Sequence, residues 1–358
     1  MSNVSTLSSG ITMGVDLGDR VSHYSVLDSR GGELERGKIE TRWADFESFF
    51  RSRASCRVVI EASTHSPWVN HLLRELGHEV LVANPRRVRL ISENPNKHDR
   101  MDPELLARLG RFDPKLLSPI RPRSLDAHAD LALVRSRHLL VRQRTSLANH
   151  VRSMVKTLGG RIPSDIGPAA LANRARGYVP EALRECLEPL LRSLAFVNAQ
   201  IRELERRIER ICRHKYPETE RLRQVDGVGV LTSLTFVLTI EDPDRFERCR
   251  DVGPYLGLVP RRDASGQRDP ELPITKAGDK HLRWLLGQCA QRMLGRFGKD
   301  SDLRRWGLAL ADRGKKNAKK RAVTAVARKL GVLLLSLWRS GEEYEPLRNT
   351  QRRAKTAA

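Results

Sequence analysis

The 358-residue chain predicts a mixed α/β domain followed by an all-α remainder. Three observations carry that prediction. Short β-type runs alternate with helix-type segments as far as about residue 118. Heptad-spaced apolar residues take over beyond it, and the excess positive charge is confined to the same later part. The formal net charge is +22, yet 17 basic and 16 acidic side chains lie in residues 1–118 and 48 and 27 in the rest. An excess spread over so many residues suits a polyanionic partner better than a small acidic substrate held at one pocket.

Composition excludes several classes. Hydrophobic residues make up 39% of the chain, enough for two or three domains with real cores. No apolar run approaches the roughly 20 residues of a membrane span, and the first ten residues, MSNVSTLSSG, lack the basic start and apolar centre of a signal peptide. A cytoplasmic location is expected. The five cysteines (Cys56, Cys186, Cys212, Cys249 and Cys289) are odd in number and never form a C-x-x-C pair. That argues against a disulfide framework and a zinc site, and they read as reduced fillers.

Taken in order, Ile11–Leu17 reads as a buried strand, Val21–Asp28 as a second and Gly32–Glu40 as an alternating third, separated by short turns around Gly18–Arg20 and Ser29–Gly31. Ala44–Ser52 is predicted helical, Arg57–Ala62 a fourth strand, Pro67–Leu76 a helix and Glu79–Ala83 a fifth strand, with helix again from Pro85. Such an order predicts a mixed sheet with helices on its faces. Asp16 and Glu61 fall near the ends of strands one and four, each followed by a loop. If those strands are neighbours, the two acids sit side by side.

Two more carboxylates, Asp99 and Asp102, lie three residues apart in NKHDRMDPELL, at the entry to a helix. Asp102 before Pro103 also fits a helix N-cap with proline at the first helical position, which for the pair alone is the simpler reading. Pro103 disfavours an α conformation at Asp102, so the two acids are expected to straddle the helix start. Together the four acids would suit a site for divalent cations. The element order resembles the RNase H and RuvC-like nuclease fold. GVDLGDRVSHYSVLD, VVIEAS and NKHDRMDPELLARL resemble the D-E-D-D set of one group of bacterial transposases. That resemblance implies that Asp16, Glu61, Asp99 and Asp102 are catalytic and bind Mg2+, with Mn2+ as an alternative. Two metal ions in such a site activate a nucleophile and stabilise the leaving oxygen of a phosphodiester.

Residues 119–216 read as helical. Leu133, Leu140, Leu147 and Met154 recur every seven residues, with Val134, Val141, Ala148 and Val155 beside them, and a break follows at Gly159–Pro168. In a second helix Leu187, Leu190, Leu194, Val197, Ile201, Leu204, Ile208 and Ile211 alternate steps of three and four, a coiled-coil seam. A hairpin within one chain and a contact between two chains both fit; the narrow seam favours self-association. Arg206, Arg207, Arg210 and Arg213 end this helix as either a solvated face or a DNA contact.

Residues 217–345 form the next expected domain. Gly227 and Gly229 bracket a tight turn within Leu222–Ile240, resembling a helix-hairpin-helix whose backbone N–H groups would bind phosphate; a plain helical corner is equally compatible. Tyr255–Lys280 is a long polar loop holding Ser265 and Gly266, with Arg261, Arg262, Arg268 and Lys276 around them. A serine before glycine is ordinarily a turn residue. Here GLVP, then serine and glycine, then ITKAGDKHLR resemble the C-terminal domain of the same transposase group, in which that serine is a nucleophile; Gln267 stands where many members have a second glycine. A basic run, Lys315–Arg321, feeds an apolar helix to Trp338, and residues 346–358 read as a disordered basic tail.

From Gly14 to about Trp338 the chain is thus similar to the insertion-sequence family numbered one hundred and ten. The resemblance implies a transposase or recombinase acting on donor and target DNA, directed by an element-encoded guide RNA. It also implies a homo-oligomer in which the carboxylates of one subunit meet the serine of another. The competing readings are a Holliday-junction or RNase H-type nuclease without a covalent serine step, and a catalytically silent nucleic-acid-binding protein.

Overall fold

The computed structural model describes residues 10–86, 103–263, 265, 270, 272–314 and 317–351. The chain divides into two compact units, Met1–His128 and Ala129–Ala358.

Unit one is built on five strands: β1 (Thr12–Asp16), β2 (Val21–Leu27), β3 (Glu33–Glu40), β4 (Arg57–Glu61) and β5 (Glu79–Ala83). Their order is β3-β2-β1-β4-β5, with β1, β2 and β3 antiparallel in sequence and β1, β4 and β5 parallel. The expected mixed sheet is therefore present, and strands one and four are neighbours. The order is compatible with an RNase H-like domain.

Period-two alternation assigns the faces. Met13, Val15, Val58, Ile60, Val80 and Val82 point into one core, closed by helices α1 (Trp43–Arg51) and α2 (Ser66–Glu75) through Phe46, Phe50, Val69 and Leu73. On the other face Val59 and Ala83 pack with Leu106 and Leu109 of α3 (Pro103–Phe112) and with Leu117. Parallel strands covered on both faces read as continuous apolar runs, which is why VVI and EVLVA stand out in the sequence. The outer strand β3 carries three glutamates and is largely exposed, a charged edge that discourages pairing with another chain. At the opposite edge Ile120 bridges to Val82 and covers β5.

Unit two is helical. The boundary between units falls near the start of α4 (Leu125–Thr157), and α5 (Pro168–Arg174), α6 (Glu181–Lys215), α7 (Glu218–Leu222), α8 (Val230–Ile240), α9 (Val252–Tyr255), α10 (Lys280–Leu294), α11 (Asp302–Ala311) and α12 (Ala318–Ser340) follow. Helices α4 and α6 run antiparallel: Lys215 meets Asp130 at 2.6 Å near one end, and Arg137 pairs with Glu205 further along. Towards the other end Ala148, Val151 and Val155 share a core with Leu187, Leu191 and Leu194.

Much of the seam that favoured self-association is buried within the chain, at Leu187, Leu194, Val197, Ile201 and Ile208. An intramolecular hairpin accounts for it, since heptad spacing is the same whether the partner helix is internal or external. The second core is organised on α8, whose residues Thr232–Ile240 are all buried. That stretch is buried on every side, with α10 and α12 in the same core, and the hydroxyls of Thr232, Ser233, Thr235 and Thr239 lie among its apolar side chains. The described part of the tail also departs from expectation. Asp302 accepts hydrogen bonds from Asn349 N–H and Thr350 Oγ1, and its own N–H donates to the Pro346 carbonyl, so residues 346–350 are anchored on the start of α11.

All five cysteines are free thiols. Among the described residues no helix is long and apolar enough to cross a membrane.

His78 gives a test of the first core. It is buried, its Nδ1 accepts from the Cys56 N–H at 3.3 Å and its Nε2 faces the Phe50 carbonyl at 3.2 Å. Burial holds its pKa below the usual histidine value. Because the folded pKa is depressed, the unfolded chain binds the extra proton more readily. Stability is then full above about pH 6.5 and declines as pH falls towards the folded pKa. Urea denaturation should show that decline, and His78→Gln should flatten it while lowering stability at pH 7.5 by about 1–3 kcal/mol.

Candidate active site and nucleic-acid surface

Asp16 and Glu61 are the last residues of β1 and β4. The parallel register pairs Gly14 with Val59 and Val15 with Ile60, so its next step sets Asp16 beside Glu61. Both acids have the parity of Gly14 and Val59 and lie on the α3 face of the sheet, half-buried at its rim. Each has interaction partners.

What brings α3 so close is the absence of side chains. A Cβ on Gly14 would lie 1.9 Å from the Pro103 carbonyl oxygen and 2.7 Å from the Ala107 nitrogen. At the far end of the helix, a Cβ on Gly110 would lie 2.3 Å from Val59 Cγ2. Charged contacts fix the helix in place: Glu104 pairs with Arg36, Arg57 donates to the Gly110 carbonyl at 3.0 Å, and Arg111 donates to the Ser29 carbonyl at 3.1 Å. The N-terminus of α3 therefore sits against β1 two residues before Asp16.

Asp99 and Asp102 lie outside the described residues, as does most of the helix expected from Pro85. Among the described residues no group of three or more His, Cys, Asp or Glu is placed to hold a metal ion. The loops that follow the two acids are linked at the same rim. His65 Nδ1 accepts from Trp68 Nε1 at 3.2 Å, and its Nε2 is 3.7 Å from an Asp19 carboxylate oxygen. Sequence reading passed over this pair, although Asp19 and His65 follow Asp16 and Glu61 by only three and four positions.

The other predicted residues belong to unit two. The Tyr255–Lys280 segment is a closed arm at its base: Arg261 N–H donates to the Pro273 carbonyl at 3.0 Å and Thr275 N–H to the Val259 carbonyl at 2.9 Å, flanking a Pro260–Ile274 bridge. Gly257 and Gly278 adopt positive φ at the neck, where Cβ atoms would strike the Ala277 and Tyr255 carbonyls. Ser265 is exposed beyond this ladder, and Arg261, Arg262 and Lys276 are exposed too. Gly266, Gln267 and Arg268 lie outside the described residues, as do Lys315 and Lys316 of the basic run.

Gly227, at φ +82°, turns the chain between the five-residue α7 and the eleven-residue α8. Gly229 is exposed and stands at the α8 N-cap with no side-chain cap. At the start of α10 Asp279 accepts from the His281 and Leu282 N–H groups, each at 2.9 Å, and pairs with Arg135 of α4 at 3.1 Å. His281 and His138 pack 4.4 Å apart, and burial depresses the pKa of each.

The sheet order is compatible with an RNase H-like domain, and comparison with known proteins gives the family. Residues 13–159 match the DEDD-type IS110 transposase model, and residues 219–305 match the model of the IS116/IS110/IS902 transposase family. Together these two segments cover more than half the chain. It is 28% identical over 287 residues to the transposase for insertion sequence element IS1328 of Yersinia enterocolitica, covering 80% of this chain and 84% of that one. It is 26% identical over 348 residues to the transposase for insertion sequence element IS1111A of Coxiella burnetii, covering 93% and 90%. The chain belongs to the IS110 family of transposases, enzymes that act on DNA.

Gly14→Ala probes the α3 contact directly, because its added methyl meets backbone that cannot rotate away. It should destabilise unit one by about 1–3 kcal/mol and abolish transposition, whereas Gly77→Ala, in open space at φ +85°, should cost stability without activity. Equal activity of wild type and Gly14→Ala in a cell-based transposition assay would refute the close-docking account.

Proposed function

We propose that this transposase cuts and rejoins DNA with a metal-carboxylate site in unit one and a serine nucleophile in unit two. The observation that carries the first half is the placement of Asp16 and Glu61 at the same end and on the same face of adjacent parallel strands, under the helix that Asp102 immediately precedes in sequence. Hard carboxylate oxygens are the donors that Mg2+ and Mn2+ prefer, so the acids present fit such ions. Asp16, Glu61, Asp99 and Asp102 would hold them. When bound, the ions supply charge stabilisation at the scissile phosphate.

Ser265 is the proposed nucleophile. Its exposure on an arm whose base is held rigid supports an approach to phosphate, and Arg261, Arg262 and Lys276 give the arm the positive charge to receive it. In the step, the Oγ–P bond forms and one P–O bond to deoxyribose breaks. The serine proton is passed on and the freed deoxyribose oxygen leaves as a hydroxyl. Rejoining reverses these bonds with a different deoxyribose hydroxyl. The Gly227–Gly229 turn, as a helix-hairpin-helix, binds backbone phosphate. The resemblance adds a guide RNA that selects donor and target DNA, and a homo-oligomer that pairs one subunit's acids with another's serine.

The test uses the whole element in cells. Asp16→Asn, Glu61→Gln and Ser265→Ala should each reduce transposition to background, and a protein–DNA adduct resistant to detergent should be absent from Ser265→Ala. Co-expression of Asp16→Asn with Ser265→Ala should restore part of the activity. Normal transposition by Ser265→Ala would overturn the nucleophile and favour a water-using nuclease. No recovery in mixed oligomers would overturn a site shared between subunits.

A further inference from the structure

The loop Gly295–Lys299, between α10 and α11, is held from several sides. Arg304 donates through Nε to the Met293 carbonyl at 2.9 Å and through Nη2 to the Gly295 carbonyl at 3.1 Å. The Lys299 N–H donates to Asp226 Oδ2 at 3.0 Å, which ties the loop to the Gly227–Gly229 turn. Gly298 is packed so tightly that a Cβ there would lie 2.0 Å from the Met293 carbonyl oxygen. Ser301 accepts from the Arg304 N–H at 3.1 Å and caps the next helix. Yet this fixed loop presents Phe297 to solvent with 67% of the residue exposed.

Single exposed apolar residues are ordinary and by themselves mean nothing. The surroundings of Phe297 distinguish it. The Arg296 guanidinium lies over its ring at 4.5 Å from the centroid, and Arg292, Arg296 and Lys299 are all exposed. Arg292 also packs beside Gly227, 3.6 Å from where a Cβ would be. A cavity of about 630 Å3 opens next to it, lined by Gly227, Gly229, Trp284, Gln288 and Arg292, with Trp284 48% exposed at its side. An aromatic ring on a pinned loop, with the Arg296 guanidinium over it, exposed Arg292 and Lys299 near it in sequence, and a hydrogen bond to the turn before an uncapped helix start, has the parts of a base-stacking platform. The ring takes a base face while the cations take the flanking phosphates.

We propose that Phe297 stacks on an unpaired or unstacked nucleobase of the bound nucleic acid, with Arg292, Arg296 and Lys299 on the adjacent phosphates. The inference rests on unit two being a nucleic-acid-binding body and adds to it a selectivity for strands whose bases are free. The pinned loop matters because a preformed platform pays little ordering entropy on binding. Duplex DNA keeps its bases stacked on each other and offers Phe297 no face without distortion. A bulge, a melted junction or a single strand does.

The experiment uses full-length protein in EDTA, which separates binding from any metal-dependent cleavage. Four probes share one sequence with 2-aminopurine at a single position: a perfect DNA duplex, the duplex with that base bulged out, the DNA single strand and the RNA single strand. Phe297→Ala should weaken binding to the bulged or single-stranded probes about five- to a hundredfold. It should leave the perfect duplex and the salt dependence unchanged and remove the 2-aminopurine quenching. Phe297→Tyr should restore both. Arg296→Ala and Lys299→Ala should each instead lower the log–log salt slope by about 0.7–0.9. A loss seen with DNA alone or RNA alone assigns the strand that supplies the base. Wild-type binding matched by Phe297→Ala on every probe, or an equal loss on the perfect duplex, would overturn the platform. A wild type that binds none of the probes would instead overturn the nucleic-acid-binding reading beneath it.

Discussion

Backbone meets backbone where α3 crosses β1, and the geometry of unit one depends on that contact. Gly14 leaves room for the Pro103 carbonyl, Gly110 leaves room for Val59, and between them Leu106 and Leu109 close the second core. A side chain at Gly14 would push the helix start off the sheet near the rim where Asp16 ends its strand. The glycine is used for its lack of volume, since its backbone lies in an ordinary strand. Charge then holds what sterics permit: Arg36, Arg57 and Arg111 each reach from or to α3. The central strands β1 and β4 lie between two packed layers, and that packing positions the groups at their ends.

Unit two solves a different problem. Its net positive charge would oppose a compact fold unless the excess stayed at the surface. The core is built from α8, α10 and α12 with apolar side chains and hydroxyls that bond their own helices, as Ser233 and Thr235 do. Asp279 shows how the few buried acids are used: one carboxylate caps α10 and pairs with Arg135, so both of its oxygens are satisfied. Exposed arginines include Arg261 and Arg262 on the arm bearing Ser265, Arg292 and Arg296 near Phe297, and Arg206, Arg207, Arg210 and Arg213 at the end of α6.

Much of unit one was legible because its signals are local. Strand and helix limits read from alternation and turn residues fall within one or two positions of those found, as at Glu79–Ala83. The shared face of Asp16 and Glu61 followed from parity once the two strands were taken as neighbours. The reason α3 approaches so closely was not legible, because Gly14 and Pro103 are far apart in sequence and a glycine in a strand carries no label for its partner. The α6 seam was readable as a stripe but not as a partner, and the structure gives it α4. The tail reads as disordered from composition, yet Asp302 anchors its first residues through bonds that composition does not encode. Phe297 was invisible for a similar reason: GRFGKD looks like any turn, and only the contacts of Arg304 and Asp226 show that the turn is fixed while its ring is left outside.

The most direct measurement of the carboxylate account is Mn2+ binding to the purified full-length protein, followed by electron paramagnetic resonance of the free ion. Wild type should bind Mn2+ in competition with Mg2+. Asp16→Asn and Glu61→Gln should each weaken binding by at least about tenfold, since even groups outside the first coordination shell cost that much. Both variants should keep the thermal stability of the wild type to within a few degrees. Mn2+ affinity unchanged by either substitution in a folded protein would contradict the account.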